Sequence, residues 1–226
     1  MPEEKLSDAL TMSLLNSVLE IHVHRGNPGE ARRVLSLFEH LADASDVQDR
    51  AGYLSAHAAV LRAEGRLSDA IAAGLDAAEL SKASFGMSTQ TVKQGLVEAI
   101  EAALALGEQE RAAELVATID AIPPGLRPPY LRAQADRFRA LLADSDGSAA
   151  SSFQAAEAGF REIGVVFWQA VTQLQHGEWF VAHRRASDAA PLLAEAREIF
   201  ERLAATPWLG RLELAEAALD ETGARA

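Results

Sequence analysis

The 226-residue chain contains no cysteine. That excludes disulfides and thiolate metal sites and fits a reducing compartment, so a cytoplasmic location is expected. Basic residues are in deficit, with 21 Lys and Arg against 33 Asp and Glu and a formal net charge of −12. Phosphate backbones need a basic face, so direct nucleic-acid binding is not expected, and a basic or apolar peptide surface suits the charge better. No apolar run approaches the roughly 18 residues of a membrane span, and MPEEKLSDAL at the start lacks the basic-then-apolar shape of a secretory signal. No membrane partner is expected either. Aromatics make up only 6%, and β-branched runs are nearly absent; the nearest, Ile21-His22-Val23-His24, sits inside a longer helical pattern. What remains is dominated by Ala, Leu, Glu and Arg, all strong helix formers. The fold class is all-α, with enough chain for a substantial core, as one elongated unit or two small domains.

Gly177 to Leu209 is the stretch from which the organisation reads most clearly. Ala170, Leu174, Gly177 and Val181 share one face of a helix. After a turn at His183–Ser187, Ala189, Leu193, Ala196, Phe200 and Leu203 repeat the pattern on a second helix. Ser187 or Asp188 is placed to cap that helix, which puts Pro191 in its first turn. Thr206-Pro207 is a further start signal. Gly177 and Ala196 are expected to oppose each other and let the two helices approach closely.

Weaker copies of this unit precede it. A small or turn residue followed five positions later by Ala occurs as Gly26/Ala31, Gly65/Ala70, Gly107/Ala112, Ser145/Ala150 and Arg184/Ala189, at spacings of 39, 42, 38 and 39 residues. This periodicity predicts about five helical hairpins. They pair 6–24 with 28–42, 47–64 with 67–83, 88–106 with 108–121, 128–143 with 147–163, and 165–183 with 187–204. A last helix near 207–222, carrying Trp208, Leu209, Leu212 and Leu219, is the expected cap of the array. Asn27 and Pro28 should start the second helix. Pro123 to Pro129, PPGLRPP, is the strongest break, read as a stiff extended connector and as an inter-repeat loop in preference to a domain boundary. Eight of the thirteen aromatics lie at or after Phe153, so the C-terminal half should hold the denser core.

Glycine in the first helix, Gly–Ala at the turn and Ala on the second helix resemble the tetratricopeptide repeat. Gly177 matches its Leu-Gly glycine, Ala189 the turn alanine, Ala196 the later alanine and Pro124 the closing proline. The spacing exceeds the family's length of about 34 residues, and most of its aromatic positions hold Ala or Leu here. The resemblance implies a right-handed α-solenoid, about five tetratricopeptide-like hairpins plus the C-terminal capping helix, as one domain over 1–226 with the Pro-rich connector 123–129 as a candidate sub-boundary. Residues 153–219 further resemble the C-terminal repeat region of bacterial adenylate/guanylate cyclase-like signalling ATPases and LuxR-type ATPase regulators. That implies a regulatory or scaffolding role without enzymatic activity; the sequence holds no GxxxxGK phosphate loop.

Catalytic chemistry finds little support. His22 and His24 point to different sides of a helix, His176 and His183 sit two turns apart, and no HExxH occurs, so no metal site is expected. Glu195, Glu198 and Glu201 read as a solvated, salt-bridged face with Glu198–Arg202 as an i,i+4 pair. No GxSxG serine occurs. Trp168, Trp179 and Trp208 read as core packing in preference to a ligand pocket. No enzyme and no cofactor are expected. In tetratricopeptide arrays the first helices line a concave face, and projecting that onto this register gives Asn16, Glu20 and His24, Ser55 and Arg62, Gln94 and Glu101, then Arg132, Arg139 and Glu178. Such side chains suit clamping a peptide, while a solvated helix face explains them equally well. The leading expectation is a scaffold or regulatory module for a protein or peptide partner in a bacterial signalling or transcription-regulatory protein. The alternative is a sensor of a small molecule or signalling peptide that controls an ATPase, cyclase or DNA-binding module. Partner identity and oligomeric state stay open.

Overall fold

The structure is a computed structural model that describes residues 15–143 and 145–223. No β-strand occurs among them. The chain divides between Pro128 and Pro129 into two compact units. The N-terminal unit contains α1 (described over 15–24), α2 (Pro28–Ser36), a 3₁₀ turn (Glu39–Leu41), α3 (Val47–Ala63), α4 (Leu67–Phe85), α5 (Gln90–Leu106) and α6 (Gln109–Asp120). The C-terminal unit contains α7 (Pro129–Leu141), α8 (Asp146–Glu162), α9 (Val166–Ala182), α10 (Ala186–Leu203) and α11 (Thr206–Gly223). None of these helices is long and apolar enough to cross a membrane.

The hairpin turns share one piece of backbone chemistry. Gly26, Gly65, Gly107 and Arg184 all take positive φ, between 58° and 79°. The residue after each donates its N–H five residues back: Asn27 to His22 O, Arg66 to Leu61 O, Glu108 to Ala103 O and Arg185 to Phe180 O, at 2.8–3.0 Å. This closes the first helix by satisfying carbonyls that would otherwise be orphaned. The next helix then begins at once, with Ala31, Ala70, Ala112 and Ala189 in its first turns, each completely buried. A methyl group is all that fits there, which is why the Gly–Ala spacing is visible in the sequence. Ser145 departs from the pattern: it is extended, at φ −139°, and the buried residue that follows is Ala149.

Several expectations need correction. The helix begun by Asn27 and Pro28 ends at Ser36 instead of near 42, because the backbone tightens into i→i+3 bonds that turn Phe38 and Leu41 onto the core of Leu15, Leu19, Leu35 and Tyr53. Asn27 precedes the helix without making a side-chain cap. Neither Ser187 nor Asp188 caps α10, which starts already at Ala186, so Pro191 lies inside it and withdraws one i→i−4 donor. Pro123–Pro129 is not extended: Leu126 and Arg127 fold back onto Pro123 O, and the Arg127 guanidinium bonds Ile122 O and Asp120 to close the end of α6. On the α10 face the ion pairs run from Arg197 to Glu201 and to Glu216 of α11, rather than from Glu198 to Arg202.

The two units pack differently. Between α4 and α5 the backbones themselves touch: a Cβ on Gly74 would lie 2.6 Å from Gly95 O, and one on Gly95 would lie 2.4 Å from Gly74 O. Gly177 instead faces Leu193, whose side chain fills the space above it, and not Ala196. Phe138, Phe153, Phe160 and Phe200 are at most 1% exposed and form the heart of the C-terminal unit. Each such side chain contributes about 1.5–3 kcal/mol through burial. Gly95→Ala should therefore destabilise the fold by about 1–3 kcal/mol through overpacking against backbone that cannot yield. Gly210→Ala, in α11 with nothing within 4 Å of its added methyl, should stabilise it by up to about 1 kcal/mol. Urea titration followed by circular dichroism checks both; equal midpoints would refute the close-approach reading.

Candidate functional site

The first helices of the N-terminal hairpins bring most of the expected row together. Arg62 on α3 meets Glu98 on α5 through two hydrogen bonds, Nε to Oε2 at 2.6 Å and Nη2 to Oε1 at 3.3 Å. Both side chains are largely buried, 17% and 5% exposed. Burial works against the guanidinium's charge, but Glu98, Glu101 and Glu20 outweigh it and hold Arg62 above its ordinary value. Glu20 on α1 faces this pair. Burial first, and repulsion from Glu98 second, push its carboxyl up to about 7 despite Arg62. His24, one turn further along α1, is pulled down to about 3 by burial and then by Arg62, so its imidazole is neutral at physiological pH.

On the same helices lie three buried polar atoms without a hydrogen-bond partner: Asn16 Oδ1, Ser55 Oγ and Gln94 Oε1. Ser55 is fully buried and Gln94 5% exposed. An unpaired buried polar group costs about 1–3 kcal/mol, so these three mark a local polar deficit, matched in the C-terminal unit by both amide atoms of Gln173 and by His176 Nε2. Asn16, Glu20, His24, Ser55, Arg62, Gln94 and Glu101 thus fall on one set of three helices. Glu98, which anchors the cluster, was not in the expected row although it lies one turn from both Gln94 and Glu101; its place in that stripe was the available signal.

The C-terminal unit arranges its residues otherwise. Arg132 is exposed and pairs with Glu162 at 3.5 Å; Arg139 pairs with Asp136 on its own helix. Glu178 accepts from Nε and Nη2 of Arg211 on α11, at 2.6 Å each. The arginine that goes inside is Arg137, fully buried with its guanidinium 4.3 Å from the Phe138 ring and 4.7 Å from the Trp168 ring. It donates to Gln134 Oε1 and Gln175 Oε1. Arg137 lies three residues after Gln134 and one before Phe138, on the buried stripe of α7, a placement the sequence displayed.

A cavity of about 460 Å³ opens between the end of α7, the start of α8 and the end of α9. Phe153, Gln175, Glu178, Trp179, His183 and Asp146 form much of its wall. The His183 ring lies tilted against Trp179, centroids 4.3 Å apart, and its ring nitrogens face Trp179 O at 2.7 Å and Asp146 Oδ1 at 3.0 Å. Beneath it His176 is sandwiched between Phe153 and Phe180 and bonds Glu157 through Nδ1 at 2.7 Å. Trp168 and Trp208 pack in the core with Phe167 and Phe200, whereas Trp179 belongs to the cavity wall as well. No protein-family model matches the sequence, and no curated protein is significantly similar to it.

The two shifted groups act on stability in opposite pH ranges. A depressed His24 is neutral in the fold while the unfolded chain takes up a proton, so stability falls as pH drops from 6.5 towards 3. A raised Glu20 keeps its proton in the fold, so stability falls as pH rises from 4.5 through 7. Glu20→Gln should raise the urea midpoint at pH 8 and leave it nearly unchanged at pH 4. His24→Gln should raise it at pH 4 and do little at pH 8. The same change at both pH values would disprove the assignment.

Proposed function

We propose that the chain is a non-enzymatic protein- or peptide-binding module. Its hairpins stack as a right-handed α-solenoid of about five tetratricopeptide-like repeats, closed by α11, and the partner docks on the face made by the first helices of the hairpins. The observation that carries this reading is the set of three unpaired buried polar atoms, Asn16 Oδ1, Ser55 Oγ and Gln94 Oε1, beside the Glu20–Arg62–Glu98 cluster. A peptide backbone supplies the hydrogen-bonding groups that such a surface lacks, in register with an extended chain. The likeness of residues 153–219 to regulator repeat regions supports a signalling or transcription-regulatory setting.

A peptide library unbiased in charge, displayed on phage and panned on the full chain, tests the docking face. Peptides that survive selection should shift the amide resonances of α1, α3 and α5 in a labelled protein. Shifts confined to α2, α4 and α6 would overturn the proposal.

A second reading, sensing of a small molecule, rests on the 460 Å³ cavity walled by Phe153, Trp179 and His183. A ligand of that cavity should raise the thermal midpoint of the parent protein and change Trp fluorescence, and should do neither in Ala143→Leu, where the new side chain occupies the space.

A further inference from the structure

We infer that the cavity of the C-terminal unit takes a small arylalkyl amine, with its ring against Phe153 and Trp179, an oxygen on that ring accepting from Gln175, and its ammonium at Asp146. This rests on the small-molecule reading of that cavity and names the chemistry of the ligand. The wall changes character with depth. Phe153 and Gln175 are buried, Gln175 only 5% exposed, whereas Glu178 and His183 are partly exposed and the Asp146 side chain is 75% exposed. Ala140, Ala143 and Ala149 contribute methyl groups to the same wall, which leaves width for a ring. The inner end is therefore apolar and aromatic with one amide, and the charges stand at the mouth.

Gln175 sets the orientation. Its Oε1 accepts from Arg137 Nη1 at 3.1 Å. A guanidinium has donors only, so the amide cannot be turned round, and Nε2 lies on the side away from Arg137. Gln175 makes no other hydrogen bond among the described residues. The sealed polar atoms without a partner in this unit belong to Gln173 and His176, and Gln175 Nε2 is not one of them. An unspent amide nitrogen that stays open to contact, on a buried side chain lining a cavity, faces that cavity. It selects a ligand that brings an oxygen acceptor to it. At the mouth the selection is by sign. The charge-bearing residues of the described wall are Asp146, Glu178 and His183, with no lysine or arginine among them. Glu178 already accepts from two nitrogens of Arg211. His183 Nδ1 faces the Trp179 carbonyl, which can only accept, so Nδ1 carries a proton and Nε2 is turned to Asp146 Oδ1. That contact engages one oxygen of Asp146 and leaves Oδ2 for an ammonium, while an anionic ligand would meet two carboxylates.

The probe is para-methoxyphenethylamine, titrated calorimetrically into the full chain, with amide shifts of the labelled protein locating the site. Its ether oxygen accepts and cannot donate. Para-ethylphenethylamine lacks the acceptor, para-methoxyphenylacetate reverses the charge, and para-methylanisole removes it. The probe should shift amides around Ala143, Gln175 and His183 and bind about three- to tenfold more tightly than the ethyl compound. The phenylacetate should bind more weakly than either amine. Gln175→Glu keeps an acceptor for Arg137 but loses the donor, and should erase the advantage of methoxy over ethyl; continued binding of the ethyl compound shows that the site is intact. Asp146→Asn should weaken both amines, and Ala143→Leu should abolish their binding. Equal affinity for the ethyl compound or the phenylacetate, or a methoxy preference that survives Gln175→Glu, would each overturn the inference. Para-methylanisole or phenylacetate binding that Ala143→Leu abolishes, with neither amine bound, would overturn the amine while sparing the cavity. Probe binding undiminished in Ala143→Leu would overturn both.

Discussion

Close approach of helix backbones at positions where only hydrogen or methyl fits is the constraint on which the rest depends. Ala31, Ala70, Ala112 and Ala189 have no exposed surface, and the residue five places before each adopts a left-handed turn. The turn reverses the chain within a residue or two, which leaves the second helix no distance in which to diverge from the first. A larger side chain at the alanine would separate the pair and expose the carbonyls that the turn satisfies. Arg184 shows how strong the requirement is: an L-residue with a long side chain accepts φ 58° where its counterparts are glycine.

From the same turns the two units build unlike interiors. In the N-terminal unit small residues bring α4 and α5 to backbone contact at Gly74 and Gly95. The inner face of α1, α3 and α5 stays polar, with Arg62, Glu98 and Gln94 where apolar residues would close a core. In the C-terminal unit Phe138, Phe153, Phe160 and Phe200 fill the space, and even the buried charge of Arg137 is carried between two rings, Phe138 and Trp168. Rings and glutamine amides stabilise that guanidinium, and Gln169, Thr172, Gln173, Gln175 and His176 keep the buried face of α9 polar as well.

Periodicity exposed the hairpins because turn geometry and the inward alanine are local demands, met within six residues of sequence. Helix ends were legible to within a few residues for the same reason. The misses have two causes. Pro191 inside α10 and the folded connector held by Arg127 follow from local backbone hydrogen bonding that no apolar period displays, whereas the early end of α2 is decided by packing onto the Leu15–Tyr53 core.

By itself, the sequence determined the all-α class, the order of helices, the turn positions and the stripe to which Asn16, Glu20, Ser55, Arg62 and Gln94 belong. These follow from propensity and from a 3.6-residue period, which need no knowledge of neighbours. Only the tertiary structure decided which of those side chains meet, because a guanidinium's partner is chosen by the distance between helices. It gave Arg62 to Glu98, Glu178 to Arg211, and the buried place on α7 to Arg137 instead of Arg132 or Arg139. It also placed Glu20 where burial and a neighbouring carboxylate move its proton into the physiological range, a property that no spacing along one helix encodes.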